Sequence, residues 1–165
     1  MAIRNRDKLL QKLQALPDKV RAAVGPAIAQ GADEIVALQK RLAPVKSGAL
    51  RQSIRAVKGT YTPENANVRG VGGPGGLVGD PDFSVHVVAG DATAWYARLV
   101  EFGTAPHINK GRFSGTQNPG ATAKPYFYPA YRALKKRTTA RIVRAGRKAA
   151  KDIAAGQTGG SGAAE

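Results

Sequence analysis

The sequence predicts an α+β fold, with helices at both ends of the chain and strands between them. Two observations carry this prediction. Hydrophobic residues recur every three or four positions over residues 4–43 and again from about residue 130, whereas residues 50–61 and 83–90 alternate with a period of two. A chain of 165 residues, 42% of them hydrophobic and 22% charged, is long enough and apolar enough to bury one core.

The first predicted element is an amphipathic helix over residues 4–43, either single or as two helices in line. Pro17 and Pro26 interrupt the pattern, and we expect a break or kink at Pro17 because proline removes a backbone hydrogen bond. The opposite face is basic, which is typical of a helix that packs on a core and exposes its charges. The apolar stripe consists of Leu9, Leu13, Leu16, Val20, Val24, Ile28, Ile35, Leu38 and Leu42.

Two strands and a long loop are predicted next. The imperfect alternation of residues 50–61 places Arg51 and Arg55 on one strand face, where a phosphate or carboxylate could dock, although solvation is the simpler interpretation. Residues 83–90 give the clearer strand. The segment 62–82 between them is rich in glycine and proline, and we interpret it as a loop able to reach a neighbouring subunit.

The letters of that loop match a dinucleotide-binding fingerprint at Gly70, Gly72 and Gly75. Such a fingerprint requires a buried strand before it and a helix that opens at its third glycine. Pro74 and Gly76 are incompatible with that helix, so the sequence predicts no cofactor site here.

A short helix, with a strand as the alternative, is predicted at residues 95–102. Asp91 or Thr93 could cap its start, and Gly103 could adopt a left-handed conformation after its end. Arg98 and Glu101 lie near the rim of its apolar face, and an ion pair with Arg98 or with a neighbouring subunit is the simplest role for Glu101. The apolar face, which we expect to be buried, is formed by Tyr96, Leu99 and Val100.

A second Gly- and Pro-rich loop is predicted at residues 104–124. It is long for a compact domain, which indicates a functional or interface loop. Ile108 and Phe113 are apolar residues within it, and they anchor the loop either to its own core or to a partner.

A C-terminal helix is predicted over residues 130–154, with Pro129 at its first position. We assign residues 1–155 to one domain and residues 156–165 to a flexible tail. The helix carries a narrow, mostly alanine apolar stripe. Its other sides form the densest positive surface of the chain: Arg132, Lys135, Lys136, Arg137, Arg141, Arg144, Arg147, Lys148 and Lys151.

The charge balance predicts an anionic partner. The formal net charge is +15, which favours nucleic acid or an acidic protein surface, although a solvated basic face needs no partner at all. Cysteine is absent, which excludes disulfides, thiol catalysis and cysteine metal sites and is consistent with synthesis in the cytoplasm. No apolar run is long enough to span a bilayer, and no signal-peptide core follows Met1.

Catalytic and metal chemistry have little support in the sequence. His86 and His107 are the only histidines and lie in different elements. Asp80, Asp82 and Asp91 could approach His86, but their spacing matches no ligand motif, so solvated loop acids are the better interpretation. Glu101 has no evident acid or nucleophile partner. We therefore expect no enzyme, metal or cofactor.

Three motifs occur in order along the chain. Residues 43–54 are Ala-Pro-Val-Lys-Ser-Gly-Ala-Leu-Arg-Gln-Ser-Ile, residues 96–104 are Tyr-Ala-Arg-Leu-Val-Glu-Phe-Gly-Thr, and residues 118–130 begin with Asn-Pro-Gly. Together they resemble the motifs of a family of small neck proteins of tailed bacteriophages, the tail-completion or head–tail joining proteins. Asn118 stands where that family more often has histidine, so no histidine chemistry is expected there.

The resemblance implies a small antiparallel sheet packed against a long N-terminal helix and a C-terminal helix. It also implies a structural virion protein at the head–tail junction, where a ring of about six copies completes the tail tube and joins it to the head connector while DNA passes through. The alternative is a basic protein that binds nucleic acid non-specifically through residues 132–151. The residues expected to form or support the assembly interface are Tyr96, Arg98, Val100, Glu101 and Phe102.

Overall fold

The computed structural model describes the backbone of residues 6–62 and 84–155, with side chains from Asp18 onward. It confirms an α+β fold with two long helices and small antiparallel sheets. Apart from Thr62, the predicted loop at 62–82 lies outside the described residues, as does the tail at 156–165. The helices are α1 (Arg6–Leu42), α2 (Ala49–Ser53), α3 (Ala97–Phe102) and α4 (Phe127–Ala154), and the strands are β1 (Arg55–Lys58), β2 (Val85–Val88), β3 (His107–Ile108) and β4 (Gln117–Asn118).

Helix α1 continues without interruption through Pro17 and Pro26, so the predicted break at Pro17 is wrong. A proline costs a helix one backbone hydrogen bond, but packing of an apolar face contributes more to helix stability than local propensity does. Val24, Ala27 and Ile35 are buried along α1, and this burial offsets the loss. None of the helices in the described ranges is long and apolar enough to cross a membrane.

Helices α1 and α4 pack side by side in antiparallel directions. Gly31 on α1 contacts Thr138 on α4, and the earlier residue Val24 on α1 contacts the later residue Gly146 on α4. The two helices therefore run in opposite directions. The buried contacts on α4 are supplied by small or compact residues, among them Ala130, Ala149 and Ile153. Small residues allow the two helix backbones to approach closely.

The two helical glycines provide a matched pair of substitutions. A Cβ atom at Gly31 would overlap Cγ2 of Thr138, whereas one at Gly146 would make ordinary contact with Val24 Cγ2 at 3.5 Å. We expect Gly31→Ala to destabilise the fold by about 1–3 kcal/mol and Gly146→Ala to stabilise it by about 0.5–1 kcal/mol, because alanine restricts the unfolded chain. Urea unfolding of both variants measures the difference; equal effects would contradict the close approach at Gly31.

The first sheet consists of β1 and β2, paired antiparallel with Val57 opposite His86. The strand predicted at 83–90 is confirmed in its centre, but the strand predicted at 50–61 is wrong over residues 50–53, which form α2. Ala49, Leu50, Arg51 and Gln52 favour helix, and burial of Leu50 and Ser53 three positions apart suits one helical face.

Arg51 and Arg55 consequently do not share a strand face. Arg51 is exposed on α2, whereas Arg55 lies on β1. The Arg55 guanidinium donates a hydrogen bond to the Ser53 carbonyl and lies 5.9 Å from the centre of the Tyr61 ring. The shared strand face on which a phosphate or carboxylate could have docked is therefore not formed.

The core closes where α2, α3 and the start of α4 meet. Leu50, Ile54, Ala97 and Tyr126 are buried together, and Ala43 joins them from the end of α1. This cluster fixes the position of α3 relative to α4.

The short helix predicted at 95–102 is confirmed as α3, although it begins at Ala97. Asp91 does not cap it: Oδ1 of Asp91 accepts hydrogen bonds from the Thr93 and Ala94 amides in the preceding turn. Helix α4 starts at Phe127, earlier than predicted, and Pro129 is its third residue. Proline is tolerated there because first-turn amides have no partner within the helix.

Candidate assembly surface and basic helix

The five residues predicted to form or support an assembly interface divide into two groups. Tyr96 and Val100 are partly buried and pack against the core cluster, and Glu101 is buried. Arg98 and Phe102 are exposed, Phe102 to 60%. The first group holds α3 in place, so only the second is available to contact another molecule.

The buried carboxylate of Glu101 caps helix α4. Its Oε2 accepts hydrogen bonds from the amides of Tyr126 at 2.7 Å and Phe127 at 2.8 Å, and its Oε1 accepts one from Tyr128 at 3.0 Å. A negative charge at this helix end satisfies unpaired amides and complements the helix dipole. Among the described residues no ion pair joins Glu101 to Arg98, so capping replaces the ion pair expected from the sequence.

Tyr126 completes the connection between α3 and α4. Its phenol is buried and donates a hydrogen bond of 3.4 Å to the carbonyl of Ala97. Burial, together with the nearby Glu101 charge, raises the pKa of Tyr126 well above its usual value of 10.0. The phenol therefore stays protonated and remains a hydrogen-bond donor.

The side of α3 that points away from the core is also apolar. Leu99 and Phe102 are exposed on α3, and Trp95 is exposed in the turn two positions before it; we call these three residues the outer face of α3. The ring of Phe102 lies 5.8 Å from that of Tyr128 at the start of α4. The prediction that Leu99 is buried with Tyr96 and Val100 is thus wrong, and Trp95, Leu99 and Tyr128 extend the candidate surface.

The segment predicted as a loop at 104–124 forms a hairpin arm, which we define as residues 104–121. Thr104 pairs with Ala121 at its base, and β3 pairs antiparallel with β4 further out. Ile108 is 65% exposed and Phe113 is 67% exposed. Of the two alternatives left open by the sequence, anchoring of these residues to their own core does not occur.

Charge is strongly segregated along the chain. Residues 102–151 contain twelve Lys or Arg residues and no Asp or Glu. Seven of the nine predicted basic-surface residues on α4 are exposed without contact to Glu34: Arg132, Lys135, Lys136, Arg144, Arg147, Lys148 and Lys151.

The other two basic residues face α1. Arg141 Nη2 donates a 2.6 Å hydrogen bond to Glu34 Oε1, and Arg137 Nε lies 3.7 Å from Glu34 Oε2. The Arg141 side chain is only 18% exposed. Arg141 therefore joins α4 to α1, and we remove it from the surface available to an anionic partner.

One comparison with known proteins decides the family. The family described as "Bacteriophage HK97-gp10, putative tail-component" matches residues 7–103, which is 97 of the 165 residues. The chain belongs to the HK97-gp10-like family. No curated protein and no solved structure gives a significant match.

Membership confirms the resemblance to phage neck and tail-completion proteins and makes this HK97-gp10-like protein a structural component of a virion. The matched region contains α1, both strands of the first sheet and α3, and it ends at Gly103. The hairpin arm and α4 lie beyond it.

The interaction of Glu34 with Arg137 and Arg141 predicts that the stability of this HK97-gp10-like protein depends on pH. The hydrogen bond from Arg141 lowers the pKa of Glu34 below its ordinary value of 4.5. Because the folded-state pKa is the lower one, the stabilisation is fully present above pH 4.5 and is lost as pH falls through the folded-state value. Urea midpoints measured between pH 6 and pH 3 should converge for wild type and Glu34→Gln; a constant difference would contradict this assignment.

In the described part of this HK97-gp10-like protein, neither histidine belongs to a cluster of possible metal ligands. Among the side chains of residues 18–62 and 84–155, no three His, Asp or Glu residues lie together as a metal site would require. His86 lines a groove between β2 and the helices, and His107 is exposed on the hairpin arm. Asp80 and Asp82 lie outside the described residues.

Proposed function

We propose that this HK97-gp10-like protein forms a ring at the neck of the virion. The ring, of about six copies, completes the end of the tail tube and joins it to the head connector. Membership in a tail-component family supports the location, and no catalytic role is part of the proposal. The proposed partners are copies of the same chain, the tail tube protein and the connector.

The observation that carries the proposal is the presence of two exposed apolar surfaces on one small chain. The outer face of α3 and the hairpin arm expose Trp95, Phe102, Ile108 and Phe113. Contiguous apolar patches on a monomer commonly mark interaction sites. Two separate surfaces suit a ring subunit, because it must contact neighbouring copies of itself, head to tail, and also other proteins of the virion.

In the proposed ring, the basic face of α4 contacts the DNA that passes through. Exposed Lys and Arg on α4 neutralise phosphates without reading sequence, and this is the interaction that a channel for passing DNA requires. We assign this face to the inside of the ring. The outer face of α3 is then assigned to the neighbouring tail and connector proteins.

Localisation in the particle tests the neck proposal. Antibody against this chain, visualised with gold particles in electron micrographs of the phage, should label the head–tail junction. Phage particles assembled without the protein provide the control for background labelling. Labelling along the tail shaft or on the head would overturn the proposal.

A second candidate is non-specific nucleic-acid binding by free protein, favoured by the acid-free stretch 102–151. Fluorescence anisotropy with a DNA duplex would then show affinity falling steeply with salt, with a log–log slope of about −0.9 per neutralised phosphate. Lys135→Gln and Arg147→Gln should each reduce the slope by about one, whereas Lys46→Gln, remote from α4, should not. Binding unaffected by salt or by these substitutions would exclude this function.

A further inference from the structure

A groove runs between β2 and α4, with α1 as its floor. Its volume is about 360 Å³. None of the described residues that line it is charged, although the surrounding surface of α4 is densely basic. The lining residues that matter below are Gln39, Val85, His86, Tyr128, Tyr131 and Thr138.

The groove is lined by buried polar atoms that lack partners. Oε1 of Gln39, Nε2 of His86 and Oγ1 of Thr138 are buried without a hydrogen-bond partner in the described part of the chain. Gln39 itself is fully buried, and its Nε2 donates to the Phe127 carbonyl at 3.2 Å. Unpaired buried polar atoms are costly, and three of them lie on residues around this one apolar groove.

One wall of the groove is an open strand edge. Gly59 donates its amide hydrogen bond to the carbonyl of Ser84, so in this antiparallel ladder Ser84, His86 and Val88 bond to β1. The backbone groups of Val85 and Val87 therefore point away from β1, and among the described residues no further strand pairs with them. An extended segment could pair with this edge.

We propose that the groove receives the hairpin arm of a neighbouring copy of this chain, with Phe113 packed between Tyr128 and Tyr131. The inference rests on the ring proposed above and names its subunit contact. The arm leaves Phe113 and Ile108 exposed in its own copy, and within the described residues the groove is open as well. Each copy thus offers one arm and one groove, which is the head-to-tail arrangement that closes into a ring.

The chemistry of the arm tip matches the groove. After Phe113 the chain continues Ser-Gly-Thr, so this side of the tip presents an aromatic ring and hydroxyls to a groove without charge. The exposed Lys110 and Arg112 precede Phe113, so their charges must stay outside the groove when the ring enters it. Thr104 to Phe113 spans nine residues and reaches at most about 30 Å.

The absence of cysteine permits a site-specific test in the full chain. Phe113→Cys and Tyr131→Cys are prepared separately, mixed and mildly oxidised. A disulfide-linked dimer is expected only in the mixture, and the double variant should give a ladder that ends at the ring. The control pairs Phe113→Cys with Arg147→Cys, an exposed α4 position outside the groove. Equal crosslinking in both pairs would overturn the proposal.

Sedimentation separates this proposal from the ring itself. Phe113→Ser should weaken self-association at least about tenfold without changing Tm, because Phe113 is exposed in the single copy. Val45→Ser, at an exposed position outside the arm and groove, should leave association unchanged. If Phe113→Ser still formed a ring of wild-type mass, and the Phe113→Cys and Tyr131→Cys variants formed no disulfide, the arm contact would be overturned and the ring would stand. A wild type that stays monomeric at every concentration would overturn both.

Salt gives an independent readout. Subunits of net charge +15 repel one another, and an apolar contact in an uncharged groove does not weaken when salt screens that repulsion. Self-association should therefore hold or strengthen between about 0.1 and 0.5 M salt. Dissociation with rising salt would instead indicate that an acidic contact or bound nucleic acid holds the copies together, and would overturn the proposal.

Discussion

Replacement of Glu101 by alanine is expected to destabilise the protein by about 3 kcal/mol or more. The substitution removes the acceptor for the amides of Tyr126, Phe127 and Tyr128 and leaves a partly buried helix end without partners. Loss of a single N-terminal cap costs about 0.5–2 kcal/mol, and here three hydrogen bonds to one charged group are lost together. Urea unfolding measures the effect, which corresponds to a decrease in Tm of roughly 6–12 °C for a chain of this size.

Two further variants control this prediction. Glu101→Gln keeps one carbonyl oxygen but turns an NH₂ group toward an amide donor, so we expect an intermediate loss. Asp33→Asn, at an exposed position on α1, removes a carboxylate that caps nothing and should change stability by no more than about 0.5 kcal/mol. If Glu101→Ala were as mild as Asp33→Asn, the cap would have no energetic role.

Alanine at Gly103 is expected to have a comparable or larger effect, about 3–5 kcal/mol. Gly103 adopts φ 72° and ψ −177°, a region open essentially to glycine alone. An added Cβ would lie 2.6 Å from the Ala121 carbonyl oxygen and 2.8 Å from the Ala123 amide nitrogen, both rigid backbone atoms. The base of the hairpin arm would have to move away from α3.

Gly111 provides the matched control for Gly103. Its φ is 74°, but an added Cβ would meet no atom within 4 Å. Gly111→Ala should therefore cost only the backbone penalty of about 1–2 kcal/mol. The difference between the two unfolding free energies contains the collision together with any extra backbone penalty at Gly103, and a difference near zero would show that the arm does not pack against Gly103.

Periodicity predicted the elements whose stability comes from long apolar stripes. Helices α1 and α4 form where the stripes predict them, and β2 follows a clear alternation. Leu42, the last residue of the predicted α1 stripe, is nevertheless 47% exposed, and the side chains of Leu9, Leu13 and Leu16 lie outside the described part of the chain. Residues 50–53 were assigned wrongly because a short segment can satisfy either period, and burial of Leu50 and Ser53 by the rest of the fold decides in favour of helix. Pro17 does not break α1, because the packing of the helix outweighs the loss of one backbone hydrogen bond.

The roles of individual site residues were less predictable. Glu101 stands out in the sequence as an acidic residue near the rim of an apolar helix face. The amides that it caps lie 25 to 27 positions later, and no local pattern contains them. Leu99 has the spacing of a core residue, and only the position of α3 on the core shows that it faces outward. The density of basic residues on α4 was visible in the sequence, whereas the use of Arg141 to bind Glu34 was not.

The pairing of α1 with α4 also determines when a newly made chain can fold. Glu34 and Arg141 are 107 residues apart, so α4 leaves the ribosome roughly 5–20 s after the part of α1 that it covers. During this interval the nascent chain displays an amphipathic helix without its partner. Only a nearly complete chain can therefore form the α1–α4 contact.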